Sequence, residues 1–338
     1  MAGKLMHAVH YTSCGGGPSD LKYVEVPLPT PKKDEVLIKV EAASLSPIDW
    51  KIQQGVLKPM FPRELPQIPG TDVAGEVVQV GSGVKNVKAG DKVVAMLSFA
   101  VKFSCSSGFN GGGLAEFVVA KANLTVPRPP EVSAAEGAGL PAAGLMAHQA
   151  LTDSAGIKLD GSGKPTNILI TGASDGVGHY AVQLAKLGNT HITATCAPEH
   201  IDFVKTLGAD EVVDETTPDG QALKSPSGKK YDIVIHCAAP TSWSTFEPNL
   251  ASNAKIFDVN PTPSAIKTYA LKKLTFNKKQ LIPVLLSGKA ENLDFLVKLV
   301  KEGKLKTVID SKYSMSKPED AWAKNAENKV IGKIIVEP

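Results

Sequence analysis

One stretch, residues 167–186, constrains the fold more than any other part of the chain. An apolar, β-branched run ends at Thr171, and apolar residues recur at helical spacing from Gly178 onward. The intervening turn carries Gly172 and Gly176, whose missing Cβ atoms let a backbone turn tightly and approach a ligand. A strand, a glycine turn and a helix in this order are typical of a pyrophosphate site, because free N–H groups at a helix start attract anions. The alternative is a strand–helix turn that binds nothing.

The same alternation continues around that stretch and predicts an α/β domain with a doubly wound parallel sheet of the Rossmann type. The predicted strands are Asn167–Thr171, His191–Cys196, Glu211–Val213, Asp232–His236 and Lys255–Val259. Before residue 130, short runs bounded by Gly, Pro and Asp predict a β-rich barrel instead. We therefore expect a β-rich catalytic domain from residues 1–130 and 281–338, and a dinucleotide-binding domain from residues 131–280.

Composition excludes several classes of protein. The net charge of +3 over 338 residues is too small to indicate nucleic-acid binding. The four cysteines lie far apart and form no C-x-x-C pair, which argues against a structural zinc lobe. We expect no membrane span, no cleavable signal peptide and no transit peptide. Many lysines fall late in the chain, which indicates a solvated face or a peripheral contact with anionic lipid.

Several short motifs resemble the medium-chain dehydrogenase/reductase superfamily. In chain order they are Glu35–Val40, Pro69–Gly75, Gly90–Val93, Leu140–Leu145, the glycine turn and Leu207–Asp210. The likeness is strongest to the zinc-independent quinone oxidoreductases. It implies a GroES-like fold for the β-rich domain and NADPH-dependent reduction of a quinone or of the activated C=C bond of an enone. Among plant members it implies a peripheral place at the chloroplast envelope, with the cytoplasm as the alternative, and a monomer or homodimer.

The same resemblance bears on metal binding. Zinc alcohol dehydrogenases of the superfamily carry a cysteine where this chain has Ser46, and a histidine where it has Thr71. A catalytic zinc ion needs three good N, S or O ligands, and two hydroxyl groups are poor substitutes. We therefore expect no metal.

Without a metal, donors to the developing negative charge on a substrate carbonyl must come from the chain. The candidates are Ser46, Trp50 and Lys51. Simpler interpretations are packing for Trp50 and a solvated side chain for Lys51, while Asp49 is expected to cap a helix.

The residues expected to bind the cofactor lie at strand ends. They are Gly172, Ala173, Ser174, Asp175, Gly176, Val177, Gly178, Thr195, Cys196, Cys237, Ala238 and Val259. No acid ends the strand that contains Thr195 and Cys196, so the ribose 2′-phosphate of NADPH is permitted there. Glu199 nearby counts against NADPH, unless it only opens the next helix.

Substrate contacts are expected from Ser46, Trp50, Met146, Phe99 and Phe109, in an apolar cleft between the two domains. The family usually has Asn at position 46, Thr at 146 and Gly or Ser at 175. These departures leave open a second function, in which the chain binds a small ligand, or catalyses an isomerisation or cyclisation, without net hydride transfer. A membrane-surface scaffold is a third interpretation.

Overall fold

A computed structural model of the chain describes residues 3–56, 65–97, 112–275, 277–327 and 329–338. The chain forms two compact units, one from Met1–Ala142 with Gly288–Pro338 and one from Ala143–Ser287. The first unit extends to residue 142 rather than to the predicted boundary at 130. The reason is packing, since the helix at Ala134–Gly139 lies against the sheet of the first unit. No helix among the described residues is long and apolar enough to cross a bilayer.

The first unit is mostly β-structure. Its elements before residue 142 are β1 (Leu5–His10), β2 (Lys22–Pro27), β3 (Glu35–Leu45), α1 (Pro47–Gln53), β4 (Asp72–Val80), β5 (Lys92–Met96), β6 (Phe117–Lys121), β7 (Thr125–Pro127) and α2 (Ala134–Gly139). The next helix, α3 (Pro141–Gln149), begins at the end of this unit.

The second unit alternates strands and helices. Its elements after α3 are β8 (Thr166–Thr171), α4 (Gly178–Lys186), β9 (Thr190–Cys196), α5 (Ile201–Thr206), β10 (Glu211–Asp214), α6 (Pro218–Gln221), β11 (Tyr231–His236), α7 (Trp243–Phe246), β12 (Leu250–Asp258), α8 (Pro263–Leu274) and β13 (Gln280–Pro283). The chain then returns to the first unit with α9 (Ala290–Lys301), β14 (Ile309–Ser314), α10 (Pro318–Ala326) and β15 (Lys333–Glu337).

In the first unit β1 pairs with β2 in a separate two-stranded sheet, and the larger sheet has the strand order β14-β15-β3-β4-β5-β7, with β6 paired to β3. Its long central strand β3 pairs antiparallel with β4, β6 and β15. Apolar side chains such as Val36, Ile38 and Trp322 are almost fully buried in its core. This pairing brings the chain terminus β15 alongside residues 43–45 at the end of β3.

The second unit contains a six-stranded sheet in the order β10-β9-β8-β11-β12-β13, with every pair parallel. Its strands carry buried runs such as Ile168–Ile170, in which each side chain is at most 1% exposed. From β8 the chain winds outward through β9 and β10, and then returns to start the other half beside β8 with β11. This reversal is the topological switch point of a doubly wound sheet, the place where such sheets bind ligands.

Candidate functional site

The glycine turn lies at the switch point, between the end of β8 and the start of α4. Gly172 has a φ of +61°, a conformation that residues with a Cβ rarely adopt. A Cβ on Gly178 would lie only 2.0 Å from the Gly172 carbonyl oxygen, so the first turn of α4 requires glycine. The N–H of Ala173 donates to the Thr195 carbonyl at 2.9 Å and ties the turn to β9. The turn therefore places the start of α4 at the carboxyl ends of the parallel strands. The first N–H groups of α4 lack acceptors within the helix.

The other residues predicted to bind the cofactor are brought to this same edge. Thr171 Oγ1 lies 2.8 Å from Nδ1 of His236, and it accepts the N–H groups of Cys237 at 3.2 Å and Ala238 at 3.4 Å. The N–H of Val259 donates to the His236 carbonyl at 3.1 Å. Burial lowers the pKa of His236 to about 4, so its ring is neutral at pH 7. These residues lie at the switch point, where a doubly wound sheet leaves a crevice outside the carboxyl ends of its strands.

The crevice is acidic. Asp175 lies in the turn itself, and its carboxylate would come within 2.8 Å of a Cβ on Gly172. Burial, and secondly the charge of Glu215, raise the pKa of Asp175 to about 7. Burial together with Glu215 and Asp214 raises the pKa of Cys196 to about 12, so this thiol stays protonated.

These acids include two that the sequence interpretation missed. Cys196 does end β9 without an acid, but β10 pairs Asp214 with it, and the N–H of Glu215 donates to the Cys196 carbonyl at 3.0 Å. The neighbouring strand therefore supplies the negative charge that the strand tip lacks. His200 Nδ1 lies 3.0 Å from Ser174 Oγ, which places an imidazole ring beside the turn.

A second constellation lies in the first unit, around Ser46 at the start of α1. Lys333 is 2% exposed, and its Nζ donates to Ser46 Oγ at 2.7 Å and lies 3.8 Å from Asp72 Oδ2. The backbone of Ser46 is fixed too, because its N–H donates to Asp49 at 2.8 Å and its carbonyl accepts from Asn325 at 3.0 Å. The expected helix-capping role of Asp49 is thus confirmed.

Asp72 and Lys333 form a buried pair, and burial disfavours the charged form of each side chain. Burial raises the pKa of Asp72 to about 7 and lowers that of Lys333, while each partner opposes the other's shift. Asp72 also accepts the N–H of Ala142 at 3.1 Å and the hydroxyl of Ser44 at 3.3 Å. Lys333 Nζ donates this hydrogen bond and Ser46 Oγ accepts it, so Ser46 keeps its own O–H to donate elsewhere. Ser46 is therefore a hydroxyl donor whose oxygen accepts a hydrogen bond from Lys333.

The other residues predicted to contact the substrate or to donate to it lie outside these two groups of contacts. Trp50 packs against the core of the first unit, and its buried Nε1 has no partner among the described residues. Burial lowers the pKa of Lys51, also in α1. Met146 is the one partly exposed apolar residue between Ala142 and Ala147 of α3. Phe99 and Phe109 lie outside the described residues.

No group of three His, Cys, Asp or Glu side chains suited to a metal ion occurs among the described residues. The hydroxyl of Thr71 is buried and has no hydrogen-bond partner among the described residues, and Thr71 lines a small recess beside Asp49 and Gly70.

Comparisons with known proteins agree with both halves of the fold. The alcohol dehydrogenase GroES-like domain matches residues 32–130, and the zinc-binding dehydrogenase family matches residues 207–336. The chain is 64% identical to the chloroplast envelope quinone oxidoreductase homolog of Arabidopsis thaliana, over all of both chains. It is 31% identical to the NADPH-dependent alkenal/one oxidoreductase of the same plant, over 99% of this chain and 80% of that protein. The solved quinone oxidoreductase of Coxiella burnetii is 30% identical with a TM-score of 0.85, over 99% of this chain and 100% of that one.

Proposed function

The chain belongs to the medium-chain dehydrogenase/reductase superfamily as an oxidoreductase with a nicotinamide cofactor, and from this premise we propose that it uses NADPH to reduce an enone C=C bond or a quinone without a metal ion. One observation carries the proposal. The glycine turn of residues 172–178 lies at the switch point of a parallel sheet in the order β10-β9-β8-β11-β12-β13, which is the arrangement of a dinucleotide site.

The residues at the crevice suit the cofactor. The N–H groups of Gly176, Val177 and Gly178 would hold the pyrophosphate at the start of α4. Bound there, the cofactor supplies the hydride. Ser174 and His200, which contact one another, would face a ribose 2′-phosphate, and the relative that is 31% identical is named for NADPH. The acids of β10 reduce this preference, so we expect it to be modest.

Ser46 is proposed to polarise the substrate. Reduction of an enone develops negative charge on its carbonyl oxygen, and a donor aimed at that oxygen lowers the barrier. The O–H of Ser46 is strengthened as a donor because Lys333 already donates to its oxygen. Trp50 and Lys51, in the helix that Ser46 begins, remain candidates for further donors. In this proposal Lys333 takes no part by contact with substrate and acts as a positioning residue for Ser46.

A screen of the purified protein with NADPH and a panel of enones and quinones tests the proposal. We expect cofactor oxidation that depends on the acceptor, and an enone product two mass units heavier than its substrate. Activity should survive dialysis against a strong chelator, with no stoichiometric zinc found by metal analysis. Cofactor binding without turnover on any acceptor would overturn the proposal, and a zinc ion whose loss abolishes turnover would overturn its metal-free form.

A second candidate function is ligand binding, isomerisation or cyclisation without net hydride transfer. The observation that favours it is Asp175, because an ionised carboxylate in the turn opposes a pyrophosphate. The screen separates the two functions, since this candidate predicts products of unchanged oxidation state and no net consumption of cofactor.

For localisation we propose the plastid, at the envelope. The relative that is 64% identical is named for the chloroplast envelope, and its likeness extends over the full length of both chains. Import of the full chain into isolated chloroplasts, followed by separation of envelope and stroma, tests this assignment. Recovery of the chain outside the organelle would contradict it.

A further inference from the structure

A small recess in the first unit lies near Ser46 and has no role in the function proposed above. Its lining includes Thr71, Gln67 and Asp49. The carboxylate of Asp49 links the recess to Ser46, since Oδ2 accepts the N–H of Ser46 at 2.8 Å and Oδ1 accepts the N–H of Gly70 at 3.1 Å. The recess is therefore connected through one side chain to the residue proposed to polarise the substrate.

The hydroxyl of Thr71 is the feature of this recess that points to a ligand. Thr71 is 7% exposed, and its Oγ1 has no hydrogen-bond partner among the described residues. A buried hydroxyl that makes no hydrogen bond costs free energy, so most such groups in proteins have a partner. The backbone of Thr71 is held in place, because its carbonyl accepts the N–H of Leu97 at 2.7 Å. The hydroxyl is thus positioned to bond to a ligand atom in the recess.

Gln67 supplies a second polar group to the same recess. It is 4% exposed, and two backbone hydrogen bonds of 3.0 Å, one in each direction, pair it with Tyr11. The hydroxyl of Tyr11 donates to Gln67 Oε1 at 2.6 Å. A carboxamide has one acceptor oxygen and two N–H donors. Because Tyr11 engages the oxygen, Gln67 offers its N–H groups to the recess that it lines.

The lining of the recess selects the kind of atom that it binds. Thr71 and Gln67 both offer a hydrogen, so the ligand atom must be an acceptor. The carboxylate of Asp49 lies at the same recess and would repel an anion. The recess is small, so it admits one polar end of a molecule rather than a whole ring. A neutral oxygen of the carbonyl type meets all three conditions.

We propose that this recess binds a second, neutral oxygen of the acceptor substrate, with Thr71 and Gln67 as its donors, while Ser46 polarises the carbonyl conjugated to the reduced bond. This inference rests on the proposed function and narrows its substrate class. Quinones and ene-diones, which carry two carbonyl groups, are favoured over enones with one. The reason is that a site with buried donors discriminates against an analogue that lacks the matching acceptor.

Two acceptors that differ by one carbonyl group test the proposal. Cyclohex-2-ene-1,4-dione has the ring and the C=C bond of cyclohex-2-en-1-one and carries a second carbonyl. For each protein, kcat/KM for the dione is divided by kcat/KM for the enone, so the intrinsic reactivity of each compound cancels between proteins. Thr71→Val removes the hydroxyl at nearly constant size and should lower this ratio by about three- to tenfold. Thr71→Ser keeps a hydroxyl and should retain most of the wild-type ratio.

A matched control separates this role from a structural one. Thr125 is 1% exposed in the same unit, and its hydroxyl donates to the Lys121 carbonyl at 2.8 Å. Thr125→Val loses that bond, so it should lower the melting temperature and leave the ratio unchanged. Thr71→Val removes an unpaired hydroxyl, so its melting temperature should equal or exceed that of the wild type. An unchanged ratio in Thr71→Val, or an equal loss in Thr125→Val, would overturn the proposal and leave the recess as a site for water.

Failure of the proposed function gives a different result. If the wild type turns over neither acceptor, the reductase function is wrong, and binding alone then tests the recess. The saturated compounds cyclohexane-1,4-dione and cyclohexanone are titrated into the chain labelled at its threonine methyl groups, and the Thr71 signal is identified by its loss in Thr71→Ser. A larger shift of this signal with the dione than with cyclohexanone supports the recess as the site of the second oxygen. Equal shifts, or none, would overturn it.

Discussion

The carboxyl group of Asp175 is expected to make cofactor affinity depend on pH. It lies in the turn that would hold the pyrophosphate, and its pKa of about 7 means that it is neutral in acid and ionised in base. Only the neutral form leaves the turn free of repulsion. The protonated fraction is about 0.9 at pH 6 and about 0.1 at pH 8, so the dissociation constant should rise about tenfold between these values.

Asp175→Asn removes the titration while keeping the size of the side chain. Its affinity should match that of the wild type at pH 6 and exceed it about tenfold at pH 8. The measurement is a fluorescence or calorimetric titration of both proteins at several pH values. The useful quantity is the ratio of the two dissociation constants at each pH. The cofactor's own 2′-phosphate titrates near pH 6, and its effect is the same for both proteins and cancels in this ratio.

Asp202→Asn provides the control, since this side chain on α5 is 97% exposed and its loss also removes one negative charge. The ratio of the dissociation constants of the wild type and Asp202→Asn should stay close to one at every pH. The reasoning about the turn is refuted if the wild type and Asp175→Asn show the same pH dependence.

The same shift has a consequence for stability. The carboxyl of Asp175 has a raised pKa in the folded chain, so its proton is retained there after the unfolded chain, with a pKa near 3.8, has lost it. Its contribution to stability is therefore full below about pH 4 and is lost as the pH rises through 7. Asp175→Asn should flatten the wild-type decline in urea-unfolding free energy over this range.

Other predictions concern the remaining parts of the site. Lys333→Met leaves Asp72 buried without its cation and should reduce the free energy of unfolding by about 3 kcal/mol in urea titrations; a loss below 1 kcal/mol would show that the pair is not coupled. Glu215→Gln should raise the ratio of kcat/KM for NADPH to that for NADH, because it removes repulsion of the 2′-phosphate; an unchanged ratio would place Glu215 away from the ribose. Ser46→Asn with Met146→Thr should raise kcat/KM for small quinones and lower it for bulky enones, each contact being worth about 1–3 kcal/mol. If the double variant leaves the ratio of these two values unchanged, the two positions do not set substrate size.

The sequence predicts the parts of this fold that depend on local pattern. The segment from β8 through the glycine turn to α4 is contiguous in sequence. The spacing of its apolar residues changes from a continuous run to helical spacing where the strand gives way to the helix. The parallel sheet follows from the alternation of such segments. The predicted strand Lys255–Val259 is shorter than the observed β12, Leu250–Asp258. The first half of β12 includes polar residues, which hide the strand pattern in the sequence.

The parts that it misses depend on residues distant in sequence. Lys333 reaches Ser46 across 287 positions, and no local pattern announces that pairing. A signal did exist, since a lysine opening the apolar run of β15 is unusual in a buried strand. Glu215 was missed for a similar reason, because its position beside Cys196 is set by pairing between β9 and β10 rather than by either strand alone.

Calorimetric titration of NADPH into the wild-type chain and into Gly176→Val tests the proposed cofactor site most directly. The wild type should bind one equivalent, and the variant should bind more than tenfold more weakly with an unchanged melting temperature, because its new side chain occupies the place of the phosphate. If the wild type binds neither NADPH nor NADH, or if the folded variant binds as tightly as the wild type, the glycine turn is not the cofactor site.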